Sequence, residues 1–456
     1  MNKLRWPFAL IASYLLLITA CTKRNPDLCC TTDAECDAIG FSSHAPCDLG
    51  VCVKNECTTT PNTCDDDSDC AAGTFCVAGS CAACASSATC PTAAPVCDAV
   101  AHDCRLCTKD SECASLVCDL VMGSCVDPAQ IRYASPTGDE TKPCSRALPC
   151  SIGQAATMSS SEHPYVALIP GAYHKGASFD GVTAIICGND STYDANGGSS
   201  FVIRNGASVT FRDLNISQTD ATDQNDSTIV ASVGSSLTLN NMHFEIAAPS
   251  FSAISQFTGI ALTIYHSTFK GAAISIADTT VTIDQSSFLD DTSIDIDDVG
   301  KQTNITNSIF DMPSHGLLRI RGDSSDINQS SIHGNTFFGG SIDCKEDGTF
   351  TTYFDANIFY NTALFPGSGS AKCIYNHNIM SPALAVPGMD NRVVDPMFVS
   401  LDRHDFHLQA GSPAIDPPTD AESDTVRTSH DFDGTPRPQG VRNDIGAFEY
   451  VAPTAP

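Results

Sequence analysis

The sequence predicts an all-β chain: a parallel solenoid of short β-coils preceded by a small disulfide-rich repeat region. Three observations predict it. Two series of short β-branched segments recur in step, every twenty-odd residues, between about Ile131 and Ala410. Eighteen of the 24 cysteines crowd between Cys29 and Cys125. Helical periodicity is absent from the repeating region.

The solenoid is read from two repeats. The first places apolar or small residues at offsets 0, +3 and +5. It reads Phe211-Leu214-Ile216, Leu239-Met242-Phe244, Ile264-Ser267-Phe269 and Ile283-Ser286-Phe288. It continues as Ile305-Ser308-Phe310, Ile332-Asn335-Phe337, Phe354-Asn357-Phe359 and Ile374-His377-Ile379. The second is a set of alternating strands centred on Ile229, Ile254, Ile274, Ile294, Leu318, Ile342 and Leu364. Steps in the first series are 28, 25, 19, 22, 27, 22 and 20 residues, and in the second 25, 20, 20, 24, 24 and 22. Two strand series advancing together are what stacked coils require, with Asn, Ser and Gly at the corners.

The disulfide-rich region is read from cysteine spacing. Cys64, Cys70, Cys76 and Cys81 form one copy, Cys84, Cys90, Cys97 and Cys104 a second, and Cys107, Cys113, Cys118 and Cys125 a third. An earlier copy has Cys30, Cys36, Cys52 and Cys57, with Cys29 and Cys47 left over to pair with each other. Four cysteines per copy suggest two disulfides, whose connectivity spacing does not choose. Large apolar residues are few here, so disulfides must supply the order. The rival reading is zinc, because Cys81-Ala-Ala-Cys84 and Cys104-Arg-Leu-Cys107 have a zinc-ribbon spacing. Both pairs straddle junctions between copies and only His44 and His102 lie nearby, which favours disulfides and no metal. The acidic run Asp65-Asp66-Asp67-Ser68-Asp69 lacks the ligand spacing of a calcium loop and reads as a solvated turn.

Composition narrows the function. The 456 residues carry 24 Lys+Arg against 53 Asp+Glu, a net charge of −29. A chain so acidic does not fit nucleic acid or the surface of anionic lipid, both of which need a basic face. A hydrophobic fraction of 42% is enough for folded cores.

The first residues point to export. Lys3 and Arg5 precede a short apolar run, Phe8 to Ala20, too short to span a bilayer. It ends in Ile18-Thr19-Ala20-Cys21, which resembles a bacterial lipobox. The resemblance implies cleavage after a signal peptide of residues 1–20, lipid on Cys21, and a linker over 21–28. Thr22, in place of Asp, implies sorting to the cell outer membrane, with the lipid as the membrane partner. Losing Lys3 and Arg5 would take the charge from −29 to −31. The alternative is an ordinary signal peptide with a chance cysteine.

The cysteine copies resemble tandem Cys-rich modules of bacterial surface lipoproteins, which implies a stalk over 29–127. The coils resemble the right-handed parallel β-helix of pectate-lyase-like proteins, which implies that fold over 131–410. The entry is similar too: Tyr133-Ala134-Ser135 and Gln154-Ala155-Ala156 lead to Pro170-Gly171-Ala172-Tyr173, with a short capping helix implied. Cys144 and Cys150 are expected to pair, Cys187 to be a buried thiol, and Cys344 to pair with Cys373 if their Cα atoms approach within about 7 Å. The end, from Gly411-Ser412-Pro413 through Asp431-Phe432-Asp433-Gly434 to Asp444-Ile445-Gly446-Ala447-Phe448-Glu449, looks like the closing segment of bacterial surface β-helices. It is expected to cap the solenoid over 411–450. No cofactor is expected; calcium at Asp431 and Asp433 is the alternative.

Chemistry on such a fold sits on the outer face of a parallel sheet. Alternation points Asp295, Asp297, Arg319, Arg321, Asp343 and Lys345 outward. Asp295 to Arg319 and Asp297 to Arg321 are both 24 residues apart, one coil, so opposite charges should be neighbours. The functional reading is a polysaccharide site, with carboxylates for calcium or acid chemistry and Arg or Lys as base. The structural reading is an ion-pair ladder that fixes register. Motifs of polygalacturonases are not met: Ser314-His315-Gly316 only echoes Gly-His-Gly, and Asp290-Asp291 lies on a turn. Arg321-Gly322-Asp323 has the integrin-type order but reads as a turn. The favoured function is a surface-exposed lipoprotein that presents a non-catalytic β-helix to an extracellular polysaccharide or other surface ligand. The alternatives are a polysaccharide lyase or glycoside hydrolase on an acidic polysaccharide, and a purely structural envelope protein.

Overall fold

The computed structural model describes residues 73–453, with gaps at 196–200, 220–226, 248–251, 258–259, 299–300, 323–329, 345–350, 368–371 and 418–427; before residue 73 it describes 51–53, 56–58, 64, 67 and 70. The expectations for Cys21 and the lipobox, for Cys29 to Cys47, for the rest of the acidic run around Asp67, for Lys345 and for Asp323 fall outside the described residues. The chain divides into two compact units, one ending at Leu106 and one beginning at Cys107.

The second unit is a parallel β-helix of about seven turns. Every pairing between its coils is parallel, and each strand bonds to the one a coil earlier and a coil later. Three sheets result. The first contains Ser236–Asn240, Ala261–Tyr265, Thr280–Asp284 and their successors to Lys372–Asn376. The second contains His243–Ile246, Thr268–Lys270, Ser287–Leu289 and their successors to Ile379–Ser381. The third contains Ala273–Ala277 and Ser293–Asp298 and runs to Ala363–Phe365. The second series read from the sequence lies in register along the third sheet, Ile229 on Ile254, then Ile274, Ile294, Leu318, Ile342 and Leu364.

The 0/+3/+5 repeat is one corner of each coil. From Leu239 on, position 0 is the last residue but one of a strand of the first sheet, and position +5 is the second residue of a strand of the second. The residue at +2 turns the chain with a left-handed backbone: Asn241, His266, Gln285 and Asn307 have φ of 52°, 47°, 46° and 44°. Position +5 builds an interior stack, in which Phe244, Phe269, Phe288, Phe310, Phe337 and Phe359 lie within 16° of parallel at centroid spacings of 4.4–5.3 Å. After Leu214 and Met242, position +3 is polar and buried because it satisfies the corner. Ser267, Ser286 and Ser308 each accept the backbone N–H one coil back. Asn335, Asn357, Asn378 and Asn391 then hand on a side-chain ladder, each amide donating to the next at 3.0, 3.2 and 3.0 Å.

The last coil corrects the sequence reading by one residue. Phe354 pairs with Tyr375, not Ile374, so the interior triad is Tyr375-Asn378-Met380 rather than Ile374-His377-Ile379. A slip of one residue exchanges the two faces of a strand. Tyr375, Asn378 and Met380 are buried in the helix, and Ile379 instead packs outside it in a second cluster with Ile358, Phe398 and Phe448. The apolar Ile374 and Ile379 misled the register: Ile379 is buried on the outer face, and Ile374 is a half-buried apolar residue on that face.

The ends and sides are covered too. At the entry, helix Ile152–Thr157 is capped by Ser151, which accepts from the Gln154 N–H, and buries Ile152, Ala155 and Ala156. Cys144 bonds Cys150 beside it. The segment from Thr428 lies along the outer flank of the second sheet: Gln285 donates to the Asp431 carbonyl, Ala447 N–H to Thr336, and Gly446 N–H to the Ala356 carbonyl. Over the last coil itself comes the chain at 384–389, where the Tyr375 N–H donates to the Pro387 carbonyl and the His377 N–H to that of Met389.

The three cysteine copies from Cys64 to Cys125 share one connectivity, first to third and second to fourth: Cys64–Cys76 and Cys70–Cys81, Cys84–Cys97 and Cys90–Cys104, Cys107–Cys118 and Cys113–Cys125. Each copy closes on an antiparallel pair, as in Phe75–Val77 with Ser80–Ala82. The sulfurs that crowd within 4.8 Å in each copy are thus bonded in pairs. Cys344 bonds Cys373, with Cα atoms 6.1 Å apart.

Candidate functional site

The charged face on the third sheet is built by strand register. Asp295 lies opposite Arg319 and Asp297 opposite Arg321, and Arg319 lies in turn opposite Asp343. The isoleucines between them, Ile294, Ile296 and Ile320, point into the core and hold the strands still. Arg319 bridges two coils, with Asp343 at 3.1 Å and Asp295 at 3.4 Å. Arg321 makes a fork with Asp295, both oxygens lying at 2.9 Å from Nη2, and stands 3.9 Å from Asp297. The side chains are about one-third exposed, from 27% for Asp343 to 38% for Asp297.

The face extends to the corner where these strands begin. Asp291 accepts the backbone N–H of His315 at 3.2 Å, and its carboxylate lies 3.6 Å from the His315 imidazole. The structure therefore brings together Asp291, Asp295, Asp297, His315, Arg319, Arg321 and Asp343 on three adjacent coils. Each guanidinium is turned onto carboxylates of its own sheet. Such an arrangement pins the register of three coils, whereas a general base or a cation for a polyanion needs a nitrogen facing outward.

Three other charged sites have pairings that the sequence reading does not give, although it singles out Asp431 and Asp433 of the third. In the first, Asp110 of the third cysteine copy meets Arg212 of the β-helix at 2.7 Å, and both are buried. In the second, the Asp311 carboxyl, 8% exposed, sits 2.6 Å from His404; burial pushes it up, against the pull of His404. In the third, Arg437 and Glu449 form a wholly buried pair at 2.8 Å in the closing segment. Arg437 also donates to the carbonyls of Asp444 and Gly446. There the Asp431 carboxylate accepts the N–H groups of Asp433, Thr435 and Glu449, and Asp433 turns to His407 at 2.7 Å. The one sequence signal for these sites was the Asp and Arg content of an otherwise apolar or Cys-rich stretch, which does not name partners.

No protein-family model and no curated protein matches this chain.

Proposed function

We propose that the protein is an outer-membrane lipoprotein, anchored through Cys21, whose disulfide-bonded modules carry a non-catalytic β-helix for contact with an extracellular polysaccharide or another surface. The observation that carries the non-catalytic part is the pairing of the charged face: Arg319 and Arg321 both engage Asp295, and Arg319 also engages Asp343. Disulfides in every described module favour an exported protein, since such bonds persist in oxidising compartments. The lipobox residues Ile18-Thr19-Ala20-Cys21 favour a lipid anchor. The parallel sheets, stacked through about seven turns, offer a face of the kind on which an extended polymer lies.

The test is retention of lipid-free protein on immobilised polysaccharides, with products assayed in the same mixtures. Saturable retention without new reducing or unsaturated ends supports the reading. Release of such ends would favour the lyase or hydrolase, and no retention on any polymer would favour a purely structural envelope role.

A further inference from the structure

The third cysteine module is set into the flank of the β-helix. Val117 and Val126 pack with Ile131, Tyr133, Ala167 and Cys187. The hydroxyl of Tyr133 donates to the Ser115 carbonyl at 3.1 Å, and the Asn189 amide to that of Leu116 at 3.1 Å. At the centre, Arg212 Nε lies 2.7 Å from one Asp110 oxygen, while its Nη2 donates at 2.8 Å to the other and at 2.9 Å to the Cys118 carbonyl. The same nitrogen donates to the thiol of Cys187 at 3.3 Å. Cys187 is buried and carries no disulfide.

The module's disulfides hold Asp110 in place. Asp110 accepts the N–H of Cys118, and Cys118 is bonded to Cys107, three residues before the aspartate. The same internal bond occurs in the other copies, where Asp67 accepts the N–H of Cys76 and Ser87 that of Cys97. Asp110 differs in that its carboxylate is also spent on a buried arginine. A buried guanidinium that loses its carboxylate is strongly unfavourable and must find water.

We propose that the third module is a redox-held lid, whose reduction withdraws Asp110 from Arg212 and uncovers the Cys187 thiol. A dithiol reductant supplies two electrons and two protons to Cys107–Cys118, giving two thiols and the reductant's own disulfide. A second equivalent opens Cys113–Cys125. With neither bond in place, the 19-residue module has too little apolar surface to stay folded. Arg212 then turns to solvent, and the first coils present a cation beside a free thiol.

The experiment is alkylation of the whole protein by iodoacetamide, read at each cysteine by peptide mapping. In the untreated protein Cys187 is expected to stay unlabelled; after graded treatment with a dithiol it is expected to label in step with Cys118. Asp110→Asn is expected to label Cys187 at least about tenfold faster without reductant, since it removes the charge partner alone. Asp67→Asn, which alters the matching bond of another copy, is expected to leave the Cys187 rate unchanged. If Asp110→Asn alters the disulfide map, Arg212→Gln is read in the same way. The proposal is overturned if Cys107, Cys113, Cys118 and Cys125 are all labelled while Cys187 is not. It is equally overturned if Cys187 labels as fast in the untreated protein, or if variants with the native disulfide map do not accelerate it.

Discussion

Arg321 reaches past its opposite number to Asp295. Its register partner is Asp297, at 3.9 Å, yet both Asp295 oxygens lie at 2.9 Å from its Nη2. Asp295 therefore serves two guanidiniums, since Arg319 also lies 3.4 Å from it. The carboxylate at the centre of the face is a hub, and the two arginines are spokes.

That relationship ranks the variants of the face. Arg319→Ala and Arg321→Ala are each expected to cost about 0.2–1 kcal/mol, as partly exposed pairs do. Asp295→Ala is expected to cost more than either, because it leaves two cations facing each other. Denaturant titration of the three variants checks the order, and an Asp295 variant as stable as wild type contradicts it.

The aromatic stack and the asparagine ladder are expected to carry far more stability than the charged face. Phe310→Ala should cost about 3–5 kcal/mol through the cavity it leaves. Asn357→Leu strands the Asn335 backbone N–H, worth about 1–3 kcal/mol when buried without a partner, while the Asn335 side-chain amide keeps the Ile305 and His333 carbonyls. Thermal melts in which these variants match Arg319→Ala would show that the interior ladder is not what holds the coils together.

The closing segment is expected to loosen as pH rises. Burial pushes the Asp444 carboxyl up to about 7, and the neighbouring Glu449 adds to it. An acid whose folded value is raised binds its proton more tightly when folded. The stability it contributes is full below the ordinary value of about 3.9 and is lost as pH climbs through about 7. His407 acts in the same direction. Burial opposes its charge, but Asp433 and Asp405 hold it above its ordinary value, so its contribution is also lost on going alkaline. The melting temperature should therefore fall between pH 6 and pH 8, and fall less in Asp444→Asn. An equal fall in the variant would remove Asp444 from the account.

Lipidation has its own test. Cys21→Ser is expected to abolish uptake of labelled fatty acid and to release the protein from membranes. A Cys21→Ser variant that still takes up the label and still sediments with membranes would contradict the lipoprotein reading.

The coils were legible in the sequence because two periods coincide there, alternation along each strand and the twenty-odd residues of a turn. Ile229, Ile254 and Ile274 could be placed one above another by counting. Counting failed in the last coil, where apolar Ile374 and Ile379 stand on the outer face and Ile379 is buried there in a second cluster. The Asp295–Arg319 neighbourhood was legible for the same reason, a spacing of 24 residues, but the diagonal fork of Arg321 depends on side-chain rotamers that spacing does not fix. Asp110 and Arg212 were not legible as partners. They are 102 residues apart and belong to segments with different repeats, so no period relates them.

On the proposed function, the β-helix face does not cut a polymer. The most direct measurement incubates wild-type protein with pectin, alginate and a glycosaminoglycan, with calcium present, and follows the ultraviolet absorbance of unsaturated uronates together with new reducing ends. Neither signal is expected to rise above that of buffer. A rise with wild type that Arg319→Ala or Arg321→Ala abolishes would contradict the account and make the face an active site.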